Sequence, residues 1–179
     1  MVKEIEKRIE EDLYNFLRSQ DRVDEKLPEC PDVEELWPQV EEAYVPDGVR
    51  EFQEYPVASL GWIMFVGMAF AKYWDEDWVA YANVGGKKLY EDLRDVEGYD
   101  KLDDTVLYKV LGLDEKEADA MIALVGECAQ RVLHTLQTCG VEPGSKDAAL
   151  LYVDSLHILY LFGMRMELNA LGYHMTKMG

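Results

Sequence analysis

The sequence predicts an all-α fold: a single-domain helical bundle of about seven or eight helices, with a fully buried central helix at about 57–74. Three observations carry that reading. Apolar residues recur at three- and four-residue steps along nearly the whole chain, as amphipathic helices require. No stretch alternates apolar and polar residues between regular turn signals, as strands would. The run from Val57 to Ala71 has no polar face, and a helix apolar all round is covered by neighbours on every side. The 179 residues suit one domain, with the acidic N-terminal third, 1–54, packed on core helices within 56–179.

Each element has its own signal. Val2, Ile5, Ile9, Leu13, Phe16 and Leu17 form the stripe of a first helix that fades near Ser19, before a polar run to Pro28. Asp32 with Glu35 is a capping-box pattern. Val33, Leu36, Trp37, Val40 and Tyr44 make a second stripe, and Pro38 suits the first turn of a helix to about Tyr44. Pro46-Asp47-Gly48 reads as a turn. Pro56 opens the central helix, where Gly61, Gly67 and Ala71 would let neighbours approach closely. The Trp74–Trp78 stretch ends or bends that helix, with a continuation through Tyr81.

Gly85-Gly86 then breaks the chain, and Leu89, Leu93 and Val96 mark a further helix closed by Gly98. A shorter piece from about Asp104 to Leu111 stops at Gly112. Asp114 and Glu117 form a second capping box before a long helix, whose core side carries Ala118, Met121, Ile122, Val125, Ala129, Val132, Leu133 and Leu136. Gly140 ends it. Ser145 caps a last helix, nearly apolar all round, that runs to about Met175.

Charge narrows the function. The chain holds 36 Asp plus Glu against 18 Lys plus Arg, a formal net of −18. Such a surface repels phosphate, so nucleic acids and anionic membranes are not expected partners. Residues 1–54 hold 17 acids and 7 bases, either a solvated face or a surface for a basic protein. Three cysteines, Cys30, Cys128 and Cys139, cannot close a disulfide framework. Cys128 and Cys139 on one helix would stand roughly 16 Å apart, beyond bridging distance. Reduced thiols and a start without an apolar leader point to a cytoplasmic location. The apolar run 57–71 falls short of the roughly 20 residues that span a bilayer.

Candidate chemistry is sparse. Asp154 and His157 share one face of the last helix, and Arg165 falls in the same polar seam, together with Asp147 and Asn169. That seam could hold a small ligand or a divalent metal. His134 points away from its helix's core stripe, and His174 lies near the C-terminus. Trp74 and Trp78, within a cluster that includes Trp62, Tyr73 and Tyr81, are candidates for an interface or pocket. Zinc signatures, a phosphate-binding glycine loop and a nucleophile elbow are absent from the sequence.

Two acidic stretches carry resemblances. Glu51-x-x-Glu54 resembles the first half of the metal motif of all-α nucleotide pyrophosphohydrolases, in which acidic pairs on two helices hold magnesium. The resemblance implies a magnesium-dependent hydrolase using Glu51 and Glu54; its second pair would have to come from Asp75, Glu76 and Asp77, past the apolar helix. Glu91-Asp92-Leu93-Arg94-Asp95 resembles the Asp-rich diphosphate motif of isoprenoid synthases, but a second such motif is missing.

The favoured expectation is a non-enzymatic, acidic interaction or adaptor protein. It would act as a homodimer, because two apolar helices are hard to cover in so small a domain. No cofactor is expected, a divalent metal at the seam or at Glu51 and Glu54 being the exception.

Overall fold

The all-α expectation holds. The structure, a computed structural model, describes residues 1–173; eight helices and no strand form among them. They are α1 (Val2–Ser19), α2 (Pro31–Glu34), α3 (Trp37–Glu54), α4 (Pro56–Tyr81), α5 (Gly86–Asp95), α6 (Leu102–Asp104), α7 (Glu115–Thr138) and α8 (Lys146–Ala170). A single π-helical stretch, Thr105–Val110, extends α6.

α4 is the axis. From Ser59 to Ala71 every residue except Trp62 is buried. α8 lies along it, and α3, α7, α2 and the π-helical stretch cover its remaining sides. α1 closes over α7 and α8, burying Ile5, Ile9, Leu13 and Leu17. By length and composition both α4 and α8 could cross a bilayer, yet 67% and 50% of their most apolar windows are buried inside the protein.

The contact between α4 and α8 is backbone against backbone. A methyl group at Gly67 would overlap the Tyr160 carbonyl and the Met164 amide, and one at Gly163 would overlap the Met64 carbonyl. Only glycine lets two main chains approach this closely. The sequence marks Gly67 as a close-approach position; its counterpart Gly163 carries no such signal. Gly61 serves a different neighbour, facing Val125 of α7.

Several local expectations give way to tertiary contacts. Pro46-Asp47-Gly48 is not a turn: α3 runs straight through it to Glu54. A proline inside a helix costs about 3 kcal/mol, and the contacts around it offset that cost. Tyr44 is fully buried two residues before, Asp47 accepts from Tyr90 and Arg94 of α5, and the Gly48 carbonyl accepts from Ser59 of α4. Gly48 is glycine for lack of room, since a Cβ there would stand 2.6 Å from the Tyr152 hydroxyl.

The Asp32 and Glu35 capping box does not form. Cys30 is the N-cap residue of α2, and Glu34 reaches back to its N–H at 2.7 Å, while Asp32 accepts from the Trp74 indole at 3.1 Å. The Asp114 and Glu117 box and the Ser145 cap form as expected. α4 is longer than 57–74 and breaks at Asp77, whose carboxylate accepts from Ala80 N–H. Ile122 is not core but 38% exposed. α8 ends at Ala170, before Met175, because Gly172 turns the chain at φ +96°. His174 and Met175 lie outside the described residues.

The glycines yield a paired prediction. Gly67→Ala and Gly163→Ala should each lower stability by about 1–3 kcal/mol through overpacking, although alanine is the better helix former. Gly126→Ala in α7, where a Cβ meets nothing within 4 Å, should instead raise it by about 0.5–1 kcal/mol. Urea unfolding of the three variants checks the sign of each.

Candidate functional site

The polar seam of α8 exists, but its members face different partners. Asp154 meets Glu6 of α1, and one Glu6 carboxyl oxygen is sealed from water. A hydrogen bond to Asp154, then burial and the nearby Asp154 and Glu10 charges, push Glu6 from 4.5 up to about 7; Lys3 opposes them. His157 stacks on Trp37 of α3, centroids 4.9 Å apart and planes 3° from parallel. Burial pushes its pKa down, with Arg165 adding to the effect and Asp154 and Glu34 opposing it. The Arg165 guanidinium lies 5.2 Å over the Phe162 ring. Its Nε, and the Asn169 Oδ1 one turn on, find no hydrogen-bond partner among the described residues. Burial pushes Arg165 down too, against the fields of Glu34, Glu10 and Glu29.

Glu51 and Glu54 sit on the last turn of α3. The acids Asp75–Asp77 lie at the far end of α4, roughly 30 Å away along the helix at its ordinary rise, so the two acidic groups do not converge. Glu51 borders Asp47, Glu97 and Asp100 instead. Its pKa is pushed up by burial, then by Asp100 and Glu54. Among the described residues no group of three His, Cys, Asp or Glu side chains is placed to hold a metal ion. On α5, Asp92 pairs with Lys88 and Asp95 with Arg94 at the surface.

Behind Glu51 lies a hydroxyl network with no signature in the sequence. Tyr44 donates to the Ser59 carbonyl at 2.6 Å and meets the Tyr99 hydroxyl at 3.0 Å. The Ser59 hydroxyl donates to the Gly48 carbonyl at 2.7 Å, and the Tyr152 hydroxyl lies 2.6 Å from it. Trp62 donates to the Tyr99 carbonyl at 3.0 Å. These bonds tie α3, α4, α8 and the segment before α6 together near the start of α4. Buried hydroxyls are tolerated when partnered in this way, and burial pushes the Tyr44 phenol well up.

Trp74 and Trp78 are half-buried beside the Asp77 break. Trp74 bonds Asp32 and packs edge-on against Tyr173 at 5.2 Å. Neither lines the two apolar hollows, which flank Pro56. The first, about 450 Å³, is a trough between α4 and α7 lined by Val57, Gly61, Trp62, Phe65, Ile122 and Val125, with Tyr55 and Glu54 at one end. Tyr55 is 62% exposed there. The second, about 680 Å³, lies at the end of the bundle among Phe52, Leu133, Leu136, Val141, Leu151 and Tyr152. The period of α7 places Ile122 on the core stripe, and Tyr55 carries no motif; only the packing of α7 on α4 exposes them together.

No family of known proteins matches the chain, and neither a curated protein nor a solved structure matches it.

The Glu6–Asp154 pair makes a signed prediction. A carboxyl whose folded pKa is raised favours the folded state fully below its ordinary 4.5, and that contribution is lost as pH rises through about 7. Glu6→Gln keeps an uncharged donor toward Asp154 at every pH. Its melting temperature should therefore match the parent's at about pH 4 and exceed it by several degrees at about pH 8. Thermal melts across that range check this.

Proposed function

We propose that this chain is a non-enzymatic interaction protein whose trough between α4 and α7 receives a basic amphipathic helix of a partner protein. The observation that carries the reading is the trough itself. It is open, apolar and flanked by two helices, the shape into which an amphipathic helix lays its apolar face. Gly61 and Gly126 are among its lining residues, and Ile122 and Tyr55 are exposed at it.

Charge supports the nature of the occupant. Glu54 lies at the trough, and the chain carries a net of −18. A cationic helix is steered toward such a surface, whereas a second copy brings −18 against −18. The apolar circumference of α4, which favoured a homodimer on sequence grounds, is largely covered within one chain. Three free thiols, two of them buried, suit a reducing compartment such as the cytoplasm.

The test is titration with a cationic amphipathic helical peptide, read by tryptophan emission, since Trp62 lines the trough. Binding should saturate and weaken with salt. Ile122→Glu should weaken it about tenfold or more, because a buried isoleucine contributes roughly 1.5–3 kcal/mol. Attraction by charge alone would instead grow with the added carboxylate, so undiminished binding by Ile122→Glu overturns the reading. A dimer by sedimentation that Ile122→Glu dissociates would make a second copy the occupant and replace it.

A further inference from the structure

We propose that the hollow at the end of the bundle is a binding site for a small cationic amphiphile, a molecule with an apolar body and an ammonium head. This goes beyond helix docking and uses a different cavity, which meets the trough only at Pro56.

Shape and lining favour a small molecule. The hollow is closed in by the last turn of α3, the first of α4, the end of α7, the loop after it and the start of α8. Its volume of about 680 Å³ suits a single small ligand. Its walls are the side chains of Phe52, Leu133, Leu136, Val141 and Leu151. Tyr152, behind them, is held by the 2.6 Å contact with Ser59 and by edge-on packing against Phe52 at 5.0 Å. One side of the cavity is therefore fixed before any ligand arrives, which reduces the ordering cost of binding.

Glu142, exposed at the rim, is the one acidic side chain lining the hollow, and Gln137 offers an amide oxygen beside its amide N–H groups. The last turn of α7, with Leu136, Gln137 and Cys139, presents the carbonyl end of a helix, where partial negative charge gathers. α4 begins with Pro56, which has no N–H, and the Ser145 hydroxyl takes the Ala148 N–H of α8 at 3.1 Å. The Cys139 thiol points to the Leu136 carbonyl at 3.4 Å. An ammonium head satisfies these acceptors; a carboxylate head meets Glu142 and a chain of net −18.

Cys139 supplies the reporter. It lines the hollow and is half-buried, whereas Cys30 and Cys128 are buried and held up at about 11 and about 12 by burial. Alkylation by a maleimide, located by mass spectrometry, therefore reads Cys139. The probes share one apolar body: octylamine, octanol and octanoate. Octylamine should slow alkylation saturably, with about tenfold higher affinity than octanol from one charge-assisted hydrogen bond, and octanoate should not protect.

Glu142→Gln should bring octylamine down to the level of octanol. Leu136→Arg, which puts a cation in the cavity, should abolish protection by both. Ile122→Glu, in the other hollow, should change neither. Equal protection by octanoate, an amine advantage that survives Glu142→Gln, or protection that fails to saturate would overturn the proposal. The comparison of the three probes on the unaltered chain decides it even if a variant folds poorly.

Discussion

Gly67 and Gly163 place the main chains of α4 and α8 in contact, and the rest of the bundle is arranged around that contact. Packed helices ordinarily stand about 8–10 Å apart, spaced by their side chains. Here each helix puts a bare backbone position against the other's carbonyl: Gly67 against Tyr160, and Gly163 against Met64. The flanking large side chains are thereby driven outward into neighbouring layers. Phe70 meets Tyr160 edge-on at 6.2 Å, and the Tyr160 hydroxyl crosses to the Val33 carbonyl of α2 at 2.7 Å. Because α4 has no polar side, every direction left open by α8 must be filled by another helix, and α3 and α7 take those places.

Two faces of this arrangement solve the burial of polar groups differently. Near the start of α4 the hydroxyls of Tyr44, Ser59, Tyr99 and Tyr152 satisfy one another and two backbone carbonyls. That end is neutral and locked. Under α1 the seam of α8 carries ionisable groups instead. Glu6 faces Asp154, and burial of Arg165 is opposed by the fields of Glu34, Glu10 and Glu29. The same contrast separates the surfaces. The apolar hollows flank Pro56 beside the locked end, where walls keep their shape, and the titratable contacts lie where α1 covers the core.

Much of the architecture was legible along the chain. The stripe of α1, the caps at Asp114 and Ser145, the stop signals at Gly112 and Gly140 and the buried run of α4 are local patterns, set by periodicity and by backbone conformations that particular residues favour. Pro46 and Ile122 were misread for one reason. Each was judged by its own segment, and each is decided by a partner distant in sequence: Pro46 by α4 and α5, which hold both sides of it in a helix, and Ile122 by the line along which α7 meets α4. Asp32 is a third case, drawn from a local cap to an indole 42 residues away.

The candidate sites divide along the same boundary. Charge and composition are sums over residues, so the sequence alone determined an acidic, all-helical protein without a catalytic signature, and spacing along one helix was enough to find the seam of Asp154, His157 and Arg165. What each of those side chains touches depends on α1, α2 and α3. The hollows beside Pro56 belong to no segment at all: Phe52, Leu133, Val141 and Leu151 come from four separate stretches. A cavity is the space that packed elements fail to fill, so its position, walls and charge were decided only when the tertiary structure brought those stretches together.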